Sequence, residues 1–508
     1  MRRIATTLTA LTLGTALAAT PALAWVEAES ENFVLRGDLR SGDAKDLLRD
    51  LEGYRANFLR MVGSTGGPER LKVRIYTVPD DAELEALTGR TSVGGLYRTD
   101  MDGPVFLLNT ESGFRRGRGR QRVGSNLRRG AEREGNSARR TAFHEYAHHL
   151  MAAYTDAHYP RWYNGGFAEF LASYEDSKKG LSIGHGTRGQ ALWLEHGNWI
   201  PIETMLRAVH DYPFREGTSA QGAFYAQSWL MVHYLQNTPG LSAKSNAYFA
   251  ALNRGEDPIE SFPTAFGQSP AAFETDLKRY FEAGRINISK IDSPVRAKGM
   301  EIEVRDASER EGALWMAEAA AELGGRGDAG RERRRRYLDA AEAALGRTPE
   351  LILLEVEAAR VAGDHARALE LAREAHTLAP ERLDTLRELG RSEVLGWRES
   401  SLGGAEAGRA TLRRALAISP DDPVANYHLA LSYADAGAGA PSEAVMAAGA
   451  AINYYRDLSY APGNLRLAPM LIANGEGEFV RPLLASVAAW AESPSARRYA
   501  RELMARLG

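Results

Sequence analysis

The sequence contains no cysteine. Disulfides, thiolate nucleophiles and cysteine-ligated zinc are thereby excluded, and such a chain is indifferent to an oxidising compartment. It also lacks charge of one predominant sign. The 63 Lys and Arg stand against 66 Asp and Glu, a net charge of −3, which leaves no bulk attraction to nucleic acid or anionic membranes. After residue 24 no apolar run is long enough to span a bilayer. Histidine is scarce, with 11 in 508 residues, so a regular spacing among histidines carries weight. The length suggests two to four domains with room for proper cores.

The first 24 residues differ from the rest. Arg2-Arg3 precede an apolar, threonine-rich run that ends in Ala22-Leu23-Ala24, the layout of a secretory signal peptide with an A-x-A cleavage site. Gly14 and Pro21 interrupt the run and no stop-transfer flank follows, which argues against a membrane anchor. Without cysteine the chain cannot be a lipoprotein. A bacterial periplasmic or secreted location is expected. Cleavage removes two arginines and no acids, taking the net charge from −3 to −5.

Residues 25 to about 110 read as an α+β unit with a small sheet. Asn32-Phe33-Val34-Leu35 and Leu71-Lys72-Val73-Arg74-Ile75-Tyr76 have strand character, as do Gly94 to Tyr97 and Pro104 to Leu108. Leu47, Leu48, Leu51, Tyr54, Phe58 and Met61 fall on one face of a helix over 44–61, and Asp80-Asp81 start a shorter one that Gly89 ends. Residues 115–140 form an Arg/Gly-rich insertion opposed only by Glu132 and Glu134. It lacks interleaved aromatics for base stacking, so nucleic acid is not the expected partner and a solvated insertion is. Helices dominate from there to about 285, and 286–306 reads as a connector with some extended structure. From 307 to 508 the chain is rich in Ala, Leu, Arg and Glu, with helices closing at Pro349, Pro380 and Pro420. These spacings bracket the length of a tetratricopeptide repeat. Pro423 to Tyr433, a turn at Gly437 and Ser442 to Val445 resemble one degenerate repeat. The resemblance implies an all-α solenoid that docks a protein partner.

His144-Glu145-Tyr146-Ala147-His148 has the form H-E-x-x-H. On a helix the two imidazoles lie one turn apart on one face, placed to grip one metal ion, with Glu145 beside them as a general base for a metal-bound water. Phe143, Ala147, Leu150 and Met151 supply the apolar positions of a buried helix, and Asn136-Ser137 offer its N-cap. Catalytic zinc needs a third protein ligand and an open position. Met151 and Tyr154 stand where a metzincin would have Gly and His, which excludes that class.

Tyr159-Pro160-Arg161-Trp162-Tyr163-Asn164-Gly165-Gly166-Phe167-Ala168-Glu169-Phe170-Leu171-Ala172 is similar to the second active-site helix of the gluzincins. Those include thermolysin-like, aminopeptidase-N-like and bacterial peptidase-MA-like enzymes. The family pattern is W-x-N-E-G-x-A-E, and its first Glu binds zinc; here that position is Gly165. Glu169, one helical turn on, is the leading candidate for the third ligand. The alternative is that it supports a ligand His from behind, with Asp156 and His158 as further candidates. Phe224 to Leu235 resembles a later family helix whose tyrosine faces the oxyanion, which makes Tyr225 the implied transition-state stabiliser. The resemblance covers about 25–285 and implies a zincin-like catalytic domain.

The expected protein is therefore an exported zinc-dependent metallopeptidase. His144, His148 and Glu169 are the metal ligands, Glu145 the base and Tyr225 the oxyanion donor, acting on a peptide or protein substrate. The alternative is a non-catalytic periplasmic interaction protein with a vestigial site, which Gly165 favours and the retained Glu145 opposes. Recognition of Ala22-Leu23-Ala24 predicts that the exported chain begins at Trp25, and intact-mass measurement of protein recovered outside the cytoplasm checks this. A mass retaining residues 1–24 would contradict it.

Overall fold

The structure, a computed structural model, describes residues 25–507 apart from 65, 91–94, 112–137, 156–157, 178–179, 197–198, 209–218, 285, 287–288, 292–294, 296–298, 326, 457–459 and 492. Most of the Arg/Gly-rich insertion and the Asn136-Ser137 cap thus lie outside the described residues.

The strands are β1 (Trp25–Glu29), β2 (Phe33–Asp38), β3 (Val73–Val78), β4 (Gly95–Asp100), β5 (Gly103–Asn109), β6 (Glu175–Ser177), β7 (Gly180–Ile183), β8 (Ser289–Ile291) and β9 (Glu303–Asp306). A six-stranded mixed sheet runs β4-β5-β3-β2-β1-β9, and β6-β7-β8 form a second, small one. The centre of the larger sheet is parallel, β2 on β3 on β5, with antiparallel β4, β1 and β9 outside it. Parallel neighbours need a crossover. Helix α1 (Ser41–Met61) provides one between β2 and β3. Helix α2 (Asp81–Thr88) follows β3, capped by the Asp80 carboxylate at its start and by left-handed Gly89 (φ 73°) at its end. Both devices were readable in the sequence.

Alternation along the central strands explains the layering. Ile75, Phe106 and Leu108 point to one face, onto Leu47, Leu51, Tyr54 and Phe58 of α1 and onto α3 (Ala138–Tyr154). Tyr76, Val78, Val105 and Leu107 point to the other face. That face is covered by Leu84 and Leu87 and by Trp315, Met316, Ala319 and Leu323.

Beyond α3 come α4 (Arg161–Ala172), α5 (Arg188–Glu195), α6 (Ile202–Arg207), α7 (Ser219–Asn237), α8 (Leu241–Asn253), α9 (Ser261–Phe266) and α10 (Pro270–Glu282). The extended structure expected in the connector over 286–306 takes the form of β8, which extends the small sheet, and β9, which pairs with β1. The β9 pairing has a physical reason: β1 would otherwise leave an edge of unpaired backbone groups.

The C-terminal region is helical: α11 (Glu309–Leu323), α12 (Gly327–Leu345), α13 (Pro349–Val361), α14 (His365–Leu378), α15 (Leu383–Ser400), α16 (Ala405–Ile418), α17 (Pro423–Leu431), α18 (Ser442–Tyr454), α19 (Ala461–Ala473), α20 (Gly477–Trp490) and α21 (Pro494–Ala505). Trp315 and its neighbours above belong to α11, so this region begins as a layer of the sheet. Among the described residues no helix is long and apolar enough to cross a membrane.

The β4–β5 turn reaches into the helical region. Asp102 accepts from the buried Arg391 at 2.8 and 3.0 Å, Tyr455 donates to the Met101 carbonyl at 2.7 Å, and Tyr460 to the Asp100 carbonyl at 2.6 Å. Burial alone would raise the Asp102 pKa, but the guanidiniums of Arg391, Arg360 and Arg387 hold it far below the usual range. Beside it Asp100, Glu322 and Glu357 bring carboxylate oxygens within 4.8 Å of one another. Burial, then the Glu322 carboxylate, pushes Glu357 up to about 8, and the same two causes lift Asp100 to about 6. Raised folded-state values favour the protonated form. These groups therefore contribute stability in acid that is lost as pH rises through about 6 and about 8. Glu357→Gln should gain thermal stability relative to the parent as pH rises from about 5 to about 9. Parallel melting curves for the two across that range would contradict the assignment.

Candidate metal centre

Helix α3 lies against the sheet through Phe143, Tyr146, Ala147 and Leu150, all fully buried. Tyr54 of α1 stacks on Phe143 with ring centroids 4.8 Å apart. Helical periodicity turns His144, Glu145 and His148 to the opposite, partly buried face. The far end of α3 is held separately: Tyr154 donates to Glu69 at 2.7 Å and takes a bond from Arg55 at 2.6 Å. Position 154, where a metzincin would have its third histidine, therefore does structural work away from the pair.

Helix α4 supplies what stands behind the two imidazoles. The Nδ1 of His144 meets Oε1 of Glu169 at 3.2 Å. The Nδ1 of His148 donates to Oδ1 of Asn164. With each Nδ1 committed outward, both Nε2 atoms turn inward and stand 3.2 Å apart. Facing lone pairs at that distance need a cation between them, either a proton or a metal ion. Two nitrogens at about 2.0–2.1 Å from a tetrahedral zinc would be roughly 3.3 Å apart, so the spacing fits such an ion.

The Glu169 carboxylate has further anchors. Arg140 and Gln190 each donate to its Oε2 at 2.9 Å. Gln190 is itself locked by a capping box with Thr187 at the start of α5. Burial would raise the Glu169 pKa, but the His144 imidazole and then Arg140 bring it down to about 2. Glu169 is thus an anion whose two oxygens face His144 Nδ1, Arg140 and Gln190. In this arrangement its carboxylate sits behind His144, which corresponds to the supporting alternative, the position that orients a ligand and raises its basicity. Burial lowers His148 to about 3, with His144 as the next cause, which keeps its ring neutral and able to ligate. Burial likewise raises the Glu145 pKa, with Glu169 adding to the effect and His144 opposing it. That moves Glu145 in the direction useful for a general base.

Helices α4 and α7 approach very closely at two glycines. A Cβ on Gly166 would lie 2.3 Å from the Ser228 carbonyl oxygen, and one on Gly165 would lie 2.9 Å from Cε1 of Tyr225. The Tyr225 ring also meets that of His144 edge-on, with centroids 6.2 Å apart. Four of the five expected site residues, His144, His148, Glu169 and Tyr225, therefore converge, with Glu145 on the same helix face. Of the alternatives, Asp156 lies outside the described residues. His158 is tied through its backbone to Asn253 and packs its ring near Trp490.

Asn164, Arg140 and Gln190 were not singled out from the sequence. Each left a signal there: Asn164 precedes Gly165 in the family-like stretch, Arg140 lies one turn before His144, and Thr187-x-x-Gln190 is a capping box. No family model and no curated protein matches this chain.

Because the Gly166 contact is with backbone, it cannot be relieved by a rotamer change. Gly166→Ala should destabilise the protein by at least about 1–3 kcal/mol, read as a lower unfolding midpoint. An unchanged midpoint would show that α4 and α7 do not meet this way.

Proposed function

We propose that the chain is an exported zinc-dependent peptidase of the gluzincin type. The observation that carries this reading is the pair of inward-facing Nε2 atoms, 3.2 Å apart, each ring held from behind by a side chain of α4. That arrangement is the fixed-tautomer, oriented-ring design of a metal centre. His144 and His148 would hold the ion, with Glu169 and Asn164 orienting them. Zinc bound there supplies Lewis-acid polarisation of the scissile carbonyl and an activated water. Glu145, next to His144 on the same helix, takes the proton from the attacking water and delivers it to the leaving amine. Tyr225, beside His144, is the residue in place to face the developing oxyanion.

The helical region supports a docking role for a peptide or protein partner. Helix pairs beginning at Pro349, Leu383 and Pro423 pack in succession, a spacing near that of tetratricopeptide repeats. This is the kind of surface that would present a protein substrate to the catalytic domain or hold an envelope partner.

Glu145→Gln should abolish cleavage of a quenched peptide library while zinc content stays that of the parent. Glu169→Gln should keep the fold and weaken zinc binding by roughly 10–100-fold, as loss of a ligand-orienting partner does. Zinc retained without any Glu145-dependent cleavage would instead support the alternative, an interaction protein with a vestigial centre. No histidine-dependent metal binding at all would overturn both.

A further inference from the structure

A cavity of about 280 Å³ lies on a different side of α3 from His144 and His148. It sits where α3, strand β4 and the loop before β3 meet the end of α18 and the residue before α19. Its walls carry the rings of Tyr97, Tyr154, Tyr454 and Tyr460, together with Glu69 and His149. Three of the phenol hydroxyls are committed within the fold. Tyr154 donates to Glu69 at 2.7 Å and Tyr460 to the Asp100 carbonyl at 2.6 Å, and Tyr97 meets Nδ1 of His149 at 3.3 Å.

His149 is different. It is only 7% exposed and its ring stacks on Tyr146, yet its Nε2 has no hydrogen-bond partner. Oε1 of Glu69 stands 3.5 Å away, beyond good hydrogen-bond length. A ring nitrogen that faces a carboxylate carries the proton, so Nδ1 accepts from Tyr97 and Nε2–H is left as a buried donor. Burying such a donor is costly unless something enters to meet it.

We propose that this cavity is a binding site for a small, neutral, polyhydroxylated ring of monosaccharide size. Charge decides against ionic ligands. Arg55 already pairs with Glu69 at 3.2 Å and lies over the Tyr154 ring. An added cation would therefore be unbalanced, and an added anion would face the carboxylate. The His149 Nε2–H and the Glu69 carboxylate present a donor beside an acceptor. A hydroxyl satisfies both at once, accepting from the imidazole and donating to the carboxylate. The tyrosine rings offer apolar faces for the C–H faces of a saturated ring. The volume lies just below the roughly 300 Å³ at which pockets for drug-sized ligands begin, which limits the occupant to about one such ring. None of these residues belongs to the metal centre, so the assignment is independent of the metallopeptidase reading.

The test titrates the full exported chain with D-glucose, D-galactose and N-acetyl-D-glucosamine, read by ligand-observed NMR. At least one should bind with a Kd of roughly 1 mM, as expected of so few heavy atoms. Cationic glucosamine and anionic glucose 6-phosphate should bind more weakly than that ring. His149→Phe keeps a stacked ring without the donor and should weaken binding roughly tenfold. His149→Gln restores an N–H of similar reach and should stay within roughly threefold of the parent, which separates loss of the donor from loss of the fold. Ala152→Leu, which fills the cavity from α3, should abolish binding. Failure of all three neutral rings to bind the parent means that the cavity holds water alone, and overturns the proposal. Binding that survives both His149→Phe and Ala152→Leu places the ligand elsewhere and overturns it too. Equal loss in His149→Gln and His149→Phe, or tighter binding of either charged ring, refutes the assigned chemistry.

Discussion

The close approach of α4 to α7 is the constraint on which the rest of the site depends. Two successive glycines let the helices meet nearly backbone to backbone, with Gly166 against the Ser228 carbonyl and Gly165 against the Tyr225 ring. Only residues without a Cβ allow this. The approach sets the depth and rotation of α4, and those place Asn164 behind His148 and Glu169 behind His144. Tyr225 comes to the same point from the other helix. Had Gly166 carried a side chain, α4 would stand further from α7 and its polar residues would face elsewhere. Gly165, which reads from the sequence as a lost ligand, is also a packing residue.

Glu169 ties the site to its surroundings. Its carboxylate receives Arg140 from the motif helix, Gln190 from α5 and the imidazole of His144. Two other helices, α3 and α5, are thereby tied to α4 through one anion. A buried carboxylate with so many donors is costly to disturb, because removing it would leave each donor unsatisfied in a region of low dielectric. The orientation of His144 is consequently a property of the whole domain.

The helical region is joined to the sheet just as firmly. Helix α11 covers a face of the sheet that would otherwise expose Tyr76, Val78, Val105 and Leu107, and Asp102 is held by Arg391 from α15. A buried ion pair of this kind contributes less net stability than its contacts suggest, since both charges must be desolvated, but breaking it by removing one partner is expensive. It fixes the orientation of the first helix pairs relative to the sheet.

Much of this was legible in the residues. Periodicity located α1, β3 and the motif helix, and Asp80 and Gly89 marked both ends of α2 to the residue, because caps and apolar alternation are local consequences of backbone chemistry. The H-E-x-x-H spacing likewise implies two imidazoles on one face, whatever surrounds them. The role of β9 was not legible, since pairing with β1 is a contact across most of the chain and leaves no local pattern. Nor could the sequence decide between Glu169 as ligand and Glu169 as support. Both readings put it one turn along the same helix, and only the packing of α4 on α7 and α3 determines which atoms it meets. The sequence alone determined the chemistry available: two histidines, a neighbouring glutamate, and a glycine where a carboxylate is expected. The tertiary structure decided which atoms those parts meet, because Asn164, Glu169 and Gln190 come to the histidines only in the fold.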